Sequence, residues 1–276
     1  KTTNNEQVVA SINKDDITAD DLYDESTPYD GSTIYNMYKN AVIDQSIKTT
    51  KDLKKQASTL ESNIKSNASS QSDDYESTLT TELAKYGYAS YEELNDYCLT
   101  SVKEKEMNKK YITKHFDEVK KAWEEKSPRT VSIIKMDVSD ADNLTETETK
   151  KKSNIDKALE KESFADVAKA FSEDSNTANK NGFAGYVDSN STSSDSNSTS
   201  TVPADVVTAA IGLKKGETSD WITVTSSSGT SLYKVYVKET NSKKIFNAKS
   251  DTVSNQALYA ILNSDSSLSY KILDSY

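Results

Sequence analysis

The stretch Phe164 to Val187, FADVAKAFSEDSNTANKNGFAGYV, leaves the chain few choices. Phe164, Val167, Ala168 and Phe171 recur at three-and-four spacing, which predicts a helix with one apolar face. Ser172, Glu173 and Asp174 end that face, and Asn and Gly take over. Gly182 and Gly185 flank Phe183 and Ala184, and glycines so close together mark a tight bend or a close backbone approach. A helix, a polar connector and a glycine-punctuated turn make a supersecondary unit, not a linker. Downstream, VVTAAIGLKKGETSDWITV and SGTSLYKVYVKE read as a helix, a Lys-Lys-Gly-Glu turn and two strands. In the last strand Ser231, Tyr233, Val235 and Val237 alternate with Leu232, Lys234, Tyr236 and Lys238, a half-buried pattern. Pro128 stops whatever precedes it, and Thr130 to Asp137 reads as the strand that opens this domain.

The remaining elements follow from spacing. Val8 to Asn13 reads as a short strand and Lys14 to Ile17 as a turn, with Thr18 as N-cap of a helix carrying Asp20 and Asp21 in its first turn. Ile34, Met37, Tyr38, Ala41, Val42 and Ile43 predict one amphipathic helix, and Leu53, Ala57, Leu60 and Ile64 another. Residues 66–74 read as a polar loop, and Tyr75 to Tyr86 as a helix ending at Gly87. Ser90 and Glu93 form a capping box. From Leu94 to Trp123 the apolar positions recur without interruption, predicting one long strut. Residues 139–149 read as an acidic loop and 150–171 as a single helix. The run DSNSTSSDSNSTSTV has almost no core-forming side chains and is expected to be mobile. Pro203 starts a helix to Ile211, and Val253, Ala257, Ile261 and Leu262 predict one more in the tail.

Composition excludes several classes. A net charge of −10 with no dense basic run argues against a nucleic-acid partner. No stretch of about 18 apolar residues is present to span a bilayer. Cys98 is the sole cysteine, so no intrachain disulfide forms, and its place on the Leu94–Val102 stripe predicts a buried thiol. There is no Cys and His cluster for zinc, and Asp137, Asp140 and Asp142 lack the glycine of a calcium loop, so no metal or cofactor is expected. His115, the single histidine, reads as a helix-flank residue.

The pieces RTVSIIKMD (129–137), FADVAKAFSEDSNTA (164–178), GFAGYV (182–187), AAIGLKKGETS (209–219) and GTSLYKV (229–235) resemble, in that order, the parvulin family of peptidyl-prolyl isomerases. With its flanks, nearly the whole chain resembles the PrsA-type family of extracytoplasmic foldase lipoproteins. That resemblance implies an α+β protein: a mostly helical SurA-like chaperone module at 1–127, a parvulin domain at 128–240 with a four-stranded antiparallel sheet plus helices, and a helical segment at 241–276 that packs back on the first module. It implies unfolded or partly folded secreted proteins as partners and homodimerisation through the N-terminal module. It also implies the outer face of a Gram-positive membrane, held by a lipidated cysteine upstream of the polar start KTTNNEQ. The tyrosines Tyr23, Tyr35, Tyr38 and Tyr97 are candidates for a client cradle.

Parvulins act on the X-Pro bond, whose rotation barrier of about 18–20 kcal/mol comes from amide resonance. The family sets two histidines on neighbouring strands beside an Asp or Cys, with an apolar groove for the proline ring. The matching positions here are Ser132 and Ser231 for the histidines, Asp174 for the Asp or Cys, and Ser228 near the family's Ser or Thr. The groove falls at Ala184, Val202 and Val206. Serines retain hydrogen bonding but no positive charge. A shrunken groove buries less of the ring, at about 25 cal/mol per Å² of apolar area. Asp174 alternatively reads as a simple helix cap. The expectation is a foldase or holdase with weak or absent isomerase activity. Its rivals are a working isomerase with a serine-modified site and a non-catalytic surface spacer.

Overall fold

A computed structural model describes residues 2–3, 6–12, 15–18, 31–192 and 202–276. It divides into two compact units, residues 1–113 with 269–276, and residues 114–268.

In the first unit, strands β1 (Thr2–Thr3), β2 (Glu6–Ile12) and β3 (Asp15–Thr18) form an antiparallel sheet in that order. The turn expected over 14–17 is therefore replaced by β3. The helix that Thr18 was expected to cap, with Asp20, Asp21 and Tyr23, lies outside the described residues. Helices α1 (Gly31–Ser46), α2 (Lys51–Ser69), α3 (Tyr75–Ala84) and α4 (Leu94–Lys114) follow. Thr50 caps α2 by accepting from the Leu53 N–H at 3.2 Å. That helix runs to Ser69, so the polar loop is shorter than its composition suggests. Gly87 turns the chain at φ 85°, and Ser90 with Glu93 forms the expected capping box. Ile43, Leu53, Ala57, Leu83, Leu94, Cys98, Met107 and Ile112 are buried, with Ile272 from the tail. Burial raises the Cys98 thiol to about 11, which leaves it inert near neutral pH. Lys103, itself buried, donates to Asp44 at 2.8 Å, and Lys39 pairs with Glu104 at 3.1 Å. Tyr97 packs between Tyr86 and Tyr88, at 5.3 and 5.7 Å, and Tyr35 against Tyr270 at 5.8 Å. Tyr38 is exposed, beside Ile34 and Met37 on α1.

The strut expected over 94–123 is two helices. The second, α5 (Phe116–Glu124), starts after His115, whose backbone (φ −109°, ψ 24°) leaves the helical region. Apolar spacing continues from Ile112 to Phe116 across that break, so periodicity alone does not register it.

The second unit adds β4 (Arg129–Val138), α6 (Glu146–Leu159), α7 (Phe164–Phe171), α8 (Ser175–Ala178) and β5 (Phe183–Val187). It continues with α9 (Ala204–Gly212), β6 (Ile222–Ser226), β7 (Gly229–Glu239), α10 (Ser242–Phe246) and α11 (Asp251–Ser264). The last helix, α12 (Leu268–Asp274), starts at the boundary between the units. The single helix expected over 150–171 is α6 and α7, because each has its own cap. Thr145 and Glu148 box the first, and Ser163 accepts from the Asp166 N–H to start the second. Part of the Ser-rich run, 193–201, lies outside the described residues.

Four strands form an antiparallel sheet in the order β5-β4-β7-β6. With the helices around it, the chain has the mixed α+β architecture. Alternation along the two central strands sorts their side chains into two cores. On one face, here called the front, Val131, Ile133, Tyr233, Val235 and Val237 pack with Val202, Val206, Val207 and Ala210. On the back, Ile134, Met136 and Leu232 pack with Ile155, Phe164, Val167 and Ala168. Buried Arg129 fixes α9 to the sheet by donating to the carbonyls of Ala210 and, at 2.8 Å, Leu213.

The tail's first helices, α10 and α11, lie against α5 within this unit. Phe246 meets Phe116 with ring centroids 5.4 Å apart. Buried Trp123 donates to the Tyr186 hydroxyl at 2.8 Å, which donates to Asp188 at 2.6 Å. Burial and the Asp188 charge push the Tyr186 phenol far up. Residues 269–276 belong to the first unit.

Candidate functional site

The segment that follows α7 builds one wall of the site. Ser172 and Glu173 run beside β4 where β5 has ended. The Glu173 N–H donates to the Lys135 carbonyl at 2.9 Å, and the Lys135 N–H to the Ser172 hydroxyl at 3.1 Å. The Asp137 N–H donates to the Glu173 carboxylate at 2.7 Å, and Lys151 pairs with that carboxylate from α6. Asp174 then caps α8, accepting from the Asn176 N–H at 3.1 Å and the Thr177 hydroxyl at 2.8 Å. The chain returns at Gly182, φ 76°, where an added Cβ would stand 2.6 Å from the Ala168 Cβ and 2.8 Å from the Ile133 carbonyl oxygen. No other residue fits this crossing without moving α7 or β4.

The polar groups gather at the far end of the front face. Lys135 stands opposite Tyr233, and Asp137 opposite Ser231. The Ser231 hydroxyl donates to Asp137 at 2.7 Å, and the Lys135 ammonium lies 2.9 Å from the same oxygen. Burial alone would raise the Asp137 carboxyl, but Ser231 and Lys135 outweigh it and hold the group below its ordinary value. Asp137 in turn raises Lys135, against a smaller opposing effect of burial. Burial raises the Tyr233 phenol, with Asp174 and Asp137 adding to the shift and Lys135 opposing it. Asp174 thus acts electrically on both Lys135 and Tyr233 while serving as a cap. The buried Tyr233 ring carries a hydroxyl with no hydrogen-bond partner among the described residues.

Of the residues expected here, Asp174 and Ser231 share this neighbourhood and Ser132 does not. Ser132 lies opposite Tyr236, five pairs along the ladder from Asp137 and Ser231. At about 3.4 Å per residue that is roughly 17 Å. Its even position also turns it to the back face, where it is buried. Ser228 is in the exposed β6–β7 turn, 2.8 Å from the Ser226 hydroxyl. Val202 and Val206 are buried in the front core, and Ala184 packs half-buried against it. As placed, the two valines present almost no surface to a proline ring. Lys135, Asp137 and Tyr233 went unselected as site residues. Their signal was available in strand alternation, since Tyr233 shares the parity of Ser231, but it needed the β4–β7 register to pair them.

The arrangement offers an ammonium, a phenol hydroxyl and two carboxylates, with no imidazole. It can donate hydrogen bonds to a peptide carbonyl or orient a bound peptide.

Comparison with known proteins defines the class. Residues 132–236 match the rotamase family, the PPIC-type PPIase domain. The four-stranded unit is therefore a peptidyl-prolyl isomerase domain of the parvulin kind.

Over a longer span, the chain is 29% identical across 241 residues to the foldase protein PrsA of Lactococcus lactis subsp. lactis (strain IL1403), covering 85% of this chain and 68% of that protein. Over that span the chain is similar to a PrsA foldase. Among solved structures, PrsA from Bacillus subtilis aligns with a TM-score of 0.42 at 20% identity, over 98% of this chain and 91% of that one. PrsA from Streptococcus pneumoniae str. Canada MDR_19A gives 0.37 at 21%, over 96% and 90%.

Proposed function

We propose that this chain is a PrsA-like foldase that shelters and folds secreted proteins after translocation, and that its parvulin domain isomerises prolyl bonds weakly or not at all. One observation carries the second half. Both positions aligned with the family's imidazoles are serines here: Ser231 lies on the front face beside Asp137, near Lys135, Tyr233 and Asp174, Ser132 lies on the back face, and the single histidine, His115, is outside residues 132–236. Each tenfold of acceleration needs about 1.4 kcal/mol of preference for the twisted amide over the planar one. Burial of Val202 and Val206 removes apolar surface that would grip the ring in both forms.

The helical module of residues 1–127 with the tail 241–276 is proposed as the client-holding part, with Tyr38 in its surface. Ser132, Ser228, Ser231, Asp174, Ala184, Val202 and Val206 remain the family-derived positions of the isomerase site. Attachment to the outer face of a Gram-positive membrane by an upstream lipid, and a homodimer through the N-terminal module, belong to the same proposal. Mass spectrometry of the protein from its native membrane tests the first, and light scattering the second.

The full chain is tested in two assays. It should suppress aggregation of an unfolded client at equimolar protein. It should leave the rate of a proline-limited refolding reaction within about twofold of the uncatalysed one. A failure to suppress aggregation favours a spacer. Clear acceleration, lost in Tyr233→Phe or Lys135→Met, favours a working isomerase that uses those two donors.

A further inference from the structure

On the back face of the same sheet, a cavity of about 660 Å³ opens between the α6–α7 corner, the segment before β6 and strand β7. Asp156, Glu160, Phe164, Asp220, Lys234 and Tyr236 are among its walls. Lys234 and Tyr236 alternate with Tyr233 and Val235 along β7, so the cavity shares a strand with the polar cluster but not a face.

The walls are ordered by specific contacts. The Phe164 and Tyr236 rings stack at 5.4 Å and 22°. Asp156 accepts the Trp221 indole N–H at 2.9 Å and lies 3.6 Å from Lys234. Lys234 also donates to the Ser219 carbonyl at 3.2 Å and sits 5.2 Å from the centre of the Trp221 ring. Asp156 and Lys234 therefore satisfy one another and the protein. Glu160 and Asp220 do not: their carboxylates have no ion pair or hydrogen bond among the described residues. What remains for a guest is an aromatic pair and two carboxylates without protein partners among the described residues, lining the same cavity. That combination suits a cation with a flat, weakly hydrated face. The volume falls within the range of about 300–1,000 Å³ that holds a small ligand, and so admits a long side chain with its neighbouring backbone.

We propose that this cavity is a second client-binding site that takes an arginine side chain of an unfolded polypeptide, its guanidinium stacked on the Tyr236–Phe164 pair and paired with Glu160 and Asp220. Arginine fits better than lysine because its planar fork can stack and pair at once. A net charge of −10 steers basic segments toward the chain in the first place. The proposal rests on the foldase reading for the nature of the guest.

The test uses the full chain and a labelled ten-residue peptide of Gly and Ser with a central Leu-Arg-Leu-Arg, compared with a Leu-Gln-Leu-Gln peptide. Fluorescence anisotropy at low salt gives the affinities, and the Trp221 indole N–H resonance reports the place. The arginine peptide should bind roughly tenfold more tightly and shift that resonance. Glu160→Gln with Asp220→Asn should remove most of the preference. Asp142→Asn with Glu146→Gln, the same change in charge at exposed positions elsewhere, should leave it within about twofold. Equal binding of the two peptides, an unmoved Trp221 resonance, or equal losses in the two double variants would overturn the site. Aggregation suppression, measured in parallel on the unaltered chain, separates the outcomes. If it is present while the peptide fails to bind, the cavity is wrong and the foldase stands; if it is absent, the foldase reading itself falls.

Discussion

The two faces of the parvulin sheet are made from alternate residues of the same two strands, yet they differ in what they leave open. On the front, valines from α9 and the chain before it close over Val131, Ile133 and Val235, and polar chemistry is confined to the strand ends at Lys135, Asp137, Ser231 and Tyr233. On the back, α6 and α7 cover Ile134, Met136 and Leu232 but leave a charged, aromatic cavity beside Lys234 and Tyr236. The front face is mostly closed core, and the back face keeps an open cavity.

The harshest way to break this contrast is Val206→Asp. Val206 is fully buried, so a carboxylate there should cost about 4 kcal/mol or more and abolish the cooperative melt of this unit. A thermal scan by near-ultraviolet circular dichroism reads it. A variant that melts like the parent would mean that Val206 lines an open groove after all. Gly182→Ala comes next, at about 1–3 kcal/mol, because the added methyl meets Ala168 and the Ile133 carbonyl at positive φ. Chemical denaturation measures it, and an unchanged midpoint would mean that the strand-to-helix crossing is looser than its geometry.

Acid sharpens the comparison further. Glu148 is held at about 2, below its ordinary 4.5, chiefly by the backbone N–H groups of Thr145 and Ser139. Asp137 is also held below its ordinary 3.8. Both groups have depressed values in the folded chain. Their stabilisation is therefore full above the unfolded value and is lost as pH falls through the folded one. Stability should decline between pH 4.5 and about 2, and Glu148→Gln should remove its share of that decline. Parallel pH series for Glu148→Gln and Asp137→Asn weigh the α6 cap on the back against the front cluster, and a slope unchanged in both would refute the assignment. The smallest effect belongs to Tyr233→Phe, expected within about 0.5 kcal/mol of the parent because its hydroxyl bonds no described residue. A larger loss in the same denaturation experiment would show that the hydroxyl is structural.

Local chemistry was the legible part. The α7 stripe, the Ser90–Glu93 box and the alternation of β7 each rest on neighbours a few residues apart, and each appears where spacing puts it. The break at His115 was hidden because the apolar phase carries on across it. The second start at Ser163 is readable in the cap that Ser163 makes with Asp166, a signal the single-helix reading of 150–171 passes over. The candidate site was legible only in part. Asp174 and Ser231 follow from the resemblance to the parvulin family, while Lys135 and Tyr233 become neighbours only once β4 and β7 are paired.

By itself, then, the amino-acid string determined most of the helices and strands, which side of each is apolar, and the order of elements that resembles a parvulin domain. Those depend on contacts within one or two turns or along one strand. Only the tertiary structure decided the β4–β7 register, and with it that Ser132 faces the back while Tyr233 faces Lys135. A slip of one residue would invert every side chain on a strand, and no local pattern forbids it; the packing of α7 on one face and α9 on the other does.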